Sequence, residues 1–269
     1  MSEWQIASGS IAENYERFLV PTIFAPIAAD LLDAVDVRPG DSVLDVACGT
    51  GAVARQAAQR VGPAGRVAGI DMLPDMLAQA RALKTDPPIE WQQAMADDIP
   101  FPDDTFTVVV CQHGLQFFPD RAAALREMHR VLAPNGKLGL MVLDDISRTP
   151  ALTALAESLN RNLGPAPAAF VQMIGAMGDE AELRRLVDDS GFRDVRLQRL
   201  TENIEFPSPE DFVRQYLVST PLAANPVVSG ADETVRARVE SDVRAQLTSY
   251  KSGDRWSMRA ENHLVTARK

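Results

Sequence analysis

The run Val43-Leu44-Asp45-Val46-Ala47-Cys48-Gly49-Thr50-Gly51 passes from apolar residues through an acid into a glycine turn, and a helix-forming stretch follows. Glycines at such a turn let a ligand approach the backbone closely, and the free amides of a helix start attract negative groups. The apolar stretch 66–70 ends in Asp71, an acid spaced to accept hydrogen bonds from both hydroxyls of a ribose. Strand, loop, helix and spaced acid together describe a nucleoside site.

Gly49-Thr50-Gly51-Ala52-Val53-Ala54 also fits the G-x-G-x-x-A pattern of dinucleotide binding, so a nicotinamide-dependent oxidoreductase is one reading. Asp45 argues against it. A strand-end carboxylate beside the loop would face a pyrophosphate, and like charges about 4 Å apart cost on the order of 4 kcal/mol at an effective dielectric near 20. S-adenosylmethionine inverts the sign, because it brings an ammonium and a sulfonium that Asp45 can offset directly or through water. A helix cap or a solvated strand-end acid is the plainer reading of Asp45. A module that binds the adenosyl cofactor without transferring methyl is a further alternative.

Short apolar runs alternate with helical stretches through the first half, which predicts an α/β domain with a parallel sheet. Strands are expected at 42–46, 66–70, 89–94, 107–111 and 137–143. Helices are expected from 52 to 61, 73 to 84 and 120 to 132, the last stopped by Pro134 and the turn Asn135-Gly136. An opening helical region covers 11–35, with Pro21 and Pro26 as breaks. Further helices are expected at 149–163, 166–177, 179–189, 209–217 and 232–250, with strands at 192–200 and 263–267. The domain reading follows: residues 1–39 form an N-terminal helical region closing over the cofactor, and 40–203 a core with a helical insertion at about 145–178. Residues 204–258 form a helical cap, and 259–269 the last core strand.

The 269 residues carry 27 Lys+Arg against 37 Asp+Glu, a formal net charge of -10, which disfavours nucleic-acid and membrane-surface partners. The apolar runs are far shorter than the roughly 20 residues that span a bilayer, so membrane insertion is not expected. The opening MSEWQIASGS does not read as a leader. Two cysteines, Cys48 and Cys111, without metal spacing around them, fit a reducing cytoplasmic setting and no bound metal.

In VLDVACGTG at 43–51, GIDMLPDML at 69–77, IPFPDDTFTVVVCQHGLQFFPD at 99–120 and ALREMHRVLAPNGKL at 124–138 the sequence resembles class I methyltransferases that use S-adenosylmethionine, especially the ubiquinone/menaquinone type and related small-molecule enzymes. That resemblance implies a Rossmann-like, seven-stranded, mostly parallel sheet with an antiparallel last strand, helices on both faces and the cofactor across strands one, two and four. It implies that Asp45, Ala47 and Gly49 line the methionine portion, that Asp71 holds the ribose and that Met72 lies on the adenine face. Tyr15 resembles an aromatic that closes over the cofactor, with helix packing as its plainer role. The acid that relatives place at the adenine edge is missing from Ala94-Met95-Ala96. The Ala96 amide, Asp97 or Asp98 is left to serve there.

The sulfonium already activates the methyl group, so the protein has mainly to align a small-molecule acceptor and exclude water. Cys111-Gln112-His113 falls where the resemblance places methionine and acceptor. His113 is the candidate base, or a purely positional or hydrogen-bonding group. His129 reads as solvated surface and His263 as the edge of the last strand. Phe170, Met173, Met177, Phe206, Phe212, Tyr216 and Trp256 are available to wall an apolar pocket or to pack the cap. Arg214 or Arg255 is available to pair an acidic group on the acceptor.

Overall fold

A computed structural model describes residues 9–269. Residues 1–8, which belong to the expected N-terminal region and the opening run, lie outside it.

Strands β1 (Ser42–Val46), β2 (Arg66–Asp71), β3 (Glu90–Gln93), β4 (Phe106–Gln112) and β5 (Leu132–Leu143) pair in parallel. β6 (Arg193–Phe206) and the short β7 (Lys251–Ser252) pair antiparallel with β8 (Arg255–Arg268), which is itself antiparallel to β5. The order is β3-β2-β1-β4-β5-β8-β6, so the chain reverses direction across the sheet between β1 and β4. Ligands of open α/β sheets bind at that switch point, outside the carboxyl ends of the strands. This is the Rossmann-like, mostly parallel architecture expected from the sequence.

Helices cover both faces because the central strands are apolar on both sides. On one face Val43, Val67, Val108 and Val110 meet Leu31 and Leu32 of α2 (Ala25–Ala34) and Val53 and Ala57 of α3 (Ala52–Val61). On the other, Leu44, Ile70, Val109 and Leu140 meet Leu125 and Met128 of α5 (Arg121–Val131) and Leu183 and Val187 of α8 (Glu180–Asp189). A separate apolar cluster joins Leu19 to α6 (Pro150–Leu163), α7 (Pro165–Ile174), α9 (Pro209–Val218) and α11 (Glu233–Leu247). α1 (Ile11–Asn14), α4 (Pro74–Ala82) and α10 (Pro226–Ser229) complete the α-helices among the described residues.

Four local expectations are corrected. Pro21 does not break the N-terminal helix: it lies inside a π-helical stretch, Tyr15–Phe24, continuous with α1 and α2. The wider turn, in which the Ala25 amide donates to the Val20 carbonyl, makes room for a residue lacking an N–H. Pro26 falls where that stretch passes into α2 and does not end the helix either. β6 and β8 are both longer than expected, because their pairing runs from Arg193↔Arg268 to Phe206↔Trp256. His263 is not at an edge: it pairs with Val142 and Arg199 in mid-strand, buried, with Nε2 3.1 Å from the Gly178 carbonyl and 3.4 Å from Asp144. His129 is half-buried rather than surface, its ring edge-on to Phe192 at 5.0 Å.

No helix among the described residues is long and apolar enough to cross a membrane.

Candidate functional site

Local sequence builds the floor of the site. β1 delivers Asp45 and then turns sharply, with Ala47 and Gly49 both at positive φ. A non-glycine residue held there is a stored strain that surrounding contacts must maintain. The Cys48 amide donates to the Ile70 carbonyl at 2.9 Å, and the Gly49 amide donates to Asp71 Oδ2 at 2.8 Å. The loop is thereby anchored to the end of β2. Gly51, at φ 87°, begins α3 where a Cβ would lie 2.3 Å from Trp91 Cη2, so both backbone and space demand glycine.

Asp45 is 1% exposed. Its Oδ2 accepts from the Ala54 amide at 3.0 Å while its Oδ1 has no partner. Burial outweighs that bond and pushes its pKa up to about 8. Asp45 does not line the cavity described below; it serves as a cap on α3 and keeps one unpaired oxygen. Asp71 does line the cavity, accepts also from the Leu73 amide at 2.9 Å, and is raised by burial against its backbone donors.

The carboxyl ends of β1, β2 and β4 open into a cavity of about 440 Å³. Ala47, Gly49, Asp71, Met72, Ala96, Gln112, His113 and Tyr15 all line it, as does Asp97, whereas Asp98 does not. Six large apolar side chains stay exposed among the described residues. Five of them, Met72, Leu73, Met95, Phe117 and Met173, line this one cavity. Apolar surface left in one place marks a binding site rather than scattered exposure.

The N-terminal helix forms a side of the same space. Tyr15 stacks on Phe24 at 5.0 Å and covers Gly49, and its hydroxyl pKa is raised by burial and then by the charges of Asp71, Glu16 and Asp45. Glu16 fastens this helix to the glycine loop, accepting from Thr50 Oγ1 at 2.5 Å and from Arg55 at 2.7 Å. Gln112 Nε2 donates to the Phe24 carbonyl at 3.0 Å and leaves its Oε1 enclosed without a partner.

His113 follows β4 at φ 55°, with its amide donating to the Met141 carbonyl at 2.7 Å. Its ring stands edge-on to Phe24 at 5.8 Å, and Nε2 is enclosed without a partner. Burial drives its pKa down to about 4, partly opposed by the Asn262 side chain. The imidazole is neutral near pH 7.

Of the aromatic and sulfur residues expected to wall a pocket, Phe170, Met173 and Tyr216 do so. Phe206, Phe212 and Trp256 pack into the cap cluster and Met177 into the sheet core. Arg214 pairs with Asp211 and Glu240, and Arg255 with Glu205, away from the cavity lining. Sequence reading missed Leu19, Phe24, Gln116 and Ser219, which line the cavity from distant segments. A polar Gln116 inside the apolar run Leu115–Phe118 was the available signal for one of them.

Residues 44–140 match a family model described as a methyltransferase domain. The chain is 34% identical over 205 residues to nocamycin O-methyltransferase of Saccharothrix syringae, covering 69% of this chain and 70% of that one. It is 34% identical over 213 residues to the ubiquinone/menaquinone biosynthesis C-methyltransferase UbiE of Ectopseudomonas mendocina, covering 74% and 78% respectively. The solved structure of the YcgJ protein of Bacillus subtilis shares the fold, with a TM-score of 0.58 at 18% identity over 90% of this chain and 97% of that one.

Fold and site define a Rossmann-like α/β protein with a largely apolar pocket at its switch point. The chain belongs to the S-adenosylmethionine-dependent methyltransferases, and S-adenosylmethionine is its cofactor. The residues present fit that group: an acid at the end of β2 faces the cavity, an exposed methionine follows it, and a buried carboxylate oxygen lacks a partner beside the loop.

Proposed function

We propose that the protein transfers the methyl group of S-adenosylmethionine to an oxygen or carbon of a small, largely apolar organic molecule, with nitrogen less favoured. The observation that carries this reading is the gathering of exposed Met72, Leu73, Met95, Phe117 and Met173 around one cavity that also holds Asp71. Relatives named as an O-methyltransferase and as a C-methyltransferase support the choice of atoms.

In this reading Asp71 accepts from the ribose hydroxyls, Met72 lies against the adenine face and the Ala96 backbone meets the adenine edge. Ala47, Gly49 and Gln112 border the methionine portion, and Tyr15 closes over it from the N-terminal helix. Asp45 acts one layer back, lowering the energy of positive charge at the loop through its unpaired oxygen. The bound cofactor supplies an already activated methyl group. His113, neutral and pointing a free ring nitrogen into an apolar enclosure, holds the acceptor by a hydrogen bond or takes its proton. Phe117, Phe170 and Tyr216 exclude water. Residues 1–39 act as the closing region, 145–178 and 204–258 as the walls over the 40–203 core, and 259–269 as the strand that completes the sheet. Buried, unpaired Cys48 and Cys111 accord with a cytoplasmic setting.

The test is incubation with deuteromethyl S-adenosylmethionine and a metabolite extract, followed by mass spectrometry. A product heavier by one labelled methyl supports the reading. Tight S-adenosylhomocysteine binding with no labelled product across broad extracts overturns it in favour of a non-catalytic binding module.

A further inference from the structure

Gln116 is 2% exposed and lines the cavity, yet both its Oε1 and its Nε2 are enclosed without any partner. An unpaired buried amide costs free energy that a well-placed ligand recovers. Ser219 Oγ, at the end of α9, is likewise enclosed and unpaired on the same cavity. The charged residues of the lining are Asp71, Asp97 and Asp120, and no lysine or arginine is among the described residues there. His113 adds no positive charge near pH 7. An anionic group on the acceptor meets acids and finds no cationic side chain.

Resting on the methyl-transfer reading above, we propose that Gln116 selects the acceptor, an uncharged molecule that presents a hydrogen-bond donor and acceptor side by side, as a lactam or carboxamide edge does. A carboxamide offers one N–H and one C=O in a plane, so its full complement is another such edge and two parallel hydrogen bonds result. A lone hydroxyl engages both groups less well. A carboxylate offers acceptors only and leaves Gln116 Oε1 facing a negative oxygen. Stacked Phe117 and Phe170, with ring centroids 6.2 Å apart, border the same cavity and suit a flat acceptor.

The experiment uses the full chain saturated with S-adenosylhomocysteine, titrated at neutral pH with isoquinolin-1-one, 1-naphthol and 1-naphthoate. The lactam is expected to bind about tenfold more tightly than the naphthol, with the naphthoate weakest. Gln116→Met should erase the lactam preference while S-adenosylhomocysteine affinity stays within about twofold. The same variant should raise the melting midpoint of the ligand-free protein by about 2–4 °C, because an unpaired amide leaves the interior. A Gln116 with a purely structural hydrogen-bonding role would instead lower that midpoint on substitution. The proposal is overturned by naphthoate binding as tightly as the lactam, by no probe binding to the loaded protein, by a preference that survives in Gln116→Met, or by a lowered midpoint. Should that variant not fold, the ranking of the three probes on the wild-type chain decides alone. Failure of S-adenosylhomocysteine itself to bind overturns the functional reading instead, and the acceptor proposal with it.

Discussion

Asp45 Oδ2 accepts the Ala54 amide at 3.0 Å, so the next-to-last residue of β1 also satisfies an amide in the first turn of α3. One oxygen is committed to the fold and the other is unpaired. A carboxyl in that position titrates near 8, against a reference value of 3.8. Between those values the folded chain keeps a proton that the unfolded chain has lost, so stability falls as pH rises from about 4 through about 8. Asp45→Asn, which retains an oxygen for Ala54, should flatten that slope in thermal melts and weaken S-adenosylmethionine about tenfold or more. Calorimetry in two buffers of different ionisation heat should register proton release when the wild type binds S-adenosylmethionine below pH 8; identical heats would show that Asp45 does not respond to the cofactor.

His113 titrates the other way. Its pKa is lowered from 6.5 to about 4, so the unfolded chain binds more protons in that interval and stability rises with pH across it. His113→Gln should remove this rise, lower turnover and leave S-adenosylhomocysteine affinity nearly unchanged. The pH profile of kcat should carry no limb from this residue between about 6 and 8. A wild-type limb near 6.5 that vanishes in the variant would contradict a buried, neutral imidazole.

Asp71 anchors the Gly49 and Leu73 amides as well as facing the cavity. Asp71→Asn retains one acceptor oxygen but loses the charge, and should weaken S-adenosylhomocysteine by about 10- to 100-fold, on the order of 1.5–3 kcal/mol for a charged hydrogen bond. Equilibrium dialysis with labelled ligand measures it, and an unchanged affinity would remove Asp71 from ribose binding.

Gly51→Ala should destabilise by about 2–4 kcal/mol, since a methyl there meets Trp91 Cη2 and the backbone stands at φ 87°. Trp91→Leu should relieve part of that loss, leaving the conformational strain, so the two changes should be less than additive. Urea melts of the four proteins test this, and strict additivity would mean that Trp91 does not press on the loop.

Much of the site was legible because its chemistry is local. Ala47 and Gly49 lie in the turn after β1, and Asp71 and Met72 at the end of β2, places written in neighbouring residues, whereas Asp45, expected to line the methionine portion, is turned into the fold. Strand ends in β6 and β8 were not, because β6 consists of half-buried and exposed residues up to its buried last residue, Phe206, and carries little apolar signal. Pairing with β8, not composition, extends it to Phe206. The unbroken N-terminal helix was hidden for a related reason: Pro21 reads as a stop for α-helical hydrogen bonding and only the wider π turn accommodates it.

The sequence by itself determined the α/β class, the glycine loop and the acid pair at positions 45 and 71, because short-range geometry and charge leave few alternatives there. Tertiary packing alone decided which distant side chains share the cavity. Leu19 and Phe24 arrive from the N-terminal helix, Phe170 from α7 and Tyr216 from α9, while Phe206, Phe212 and Trp256, alike in composition, pack in the cap. Burial decided the charge states too, turning Asp45 toward its neutral form and keeping His113 uncharged, since desolvation is a property of the folded interior and not of the residue.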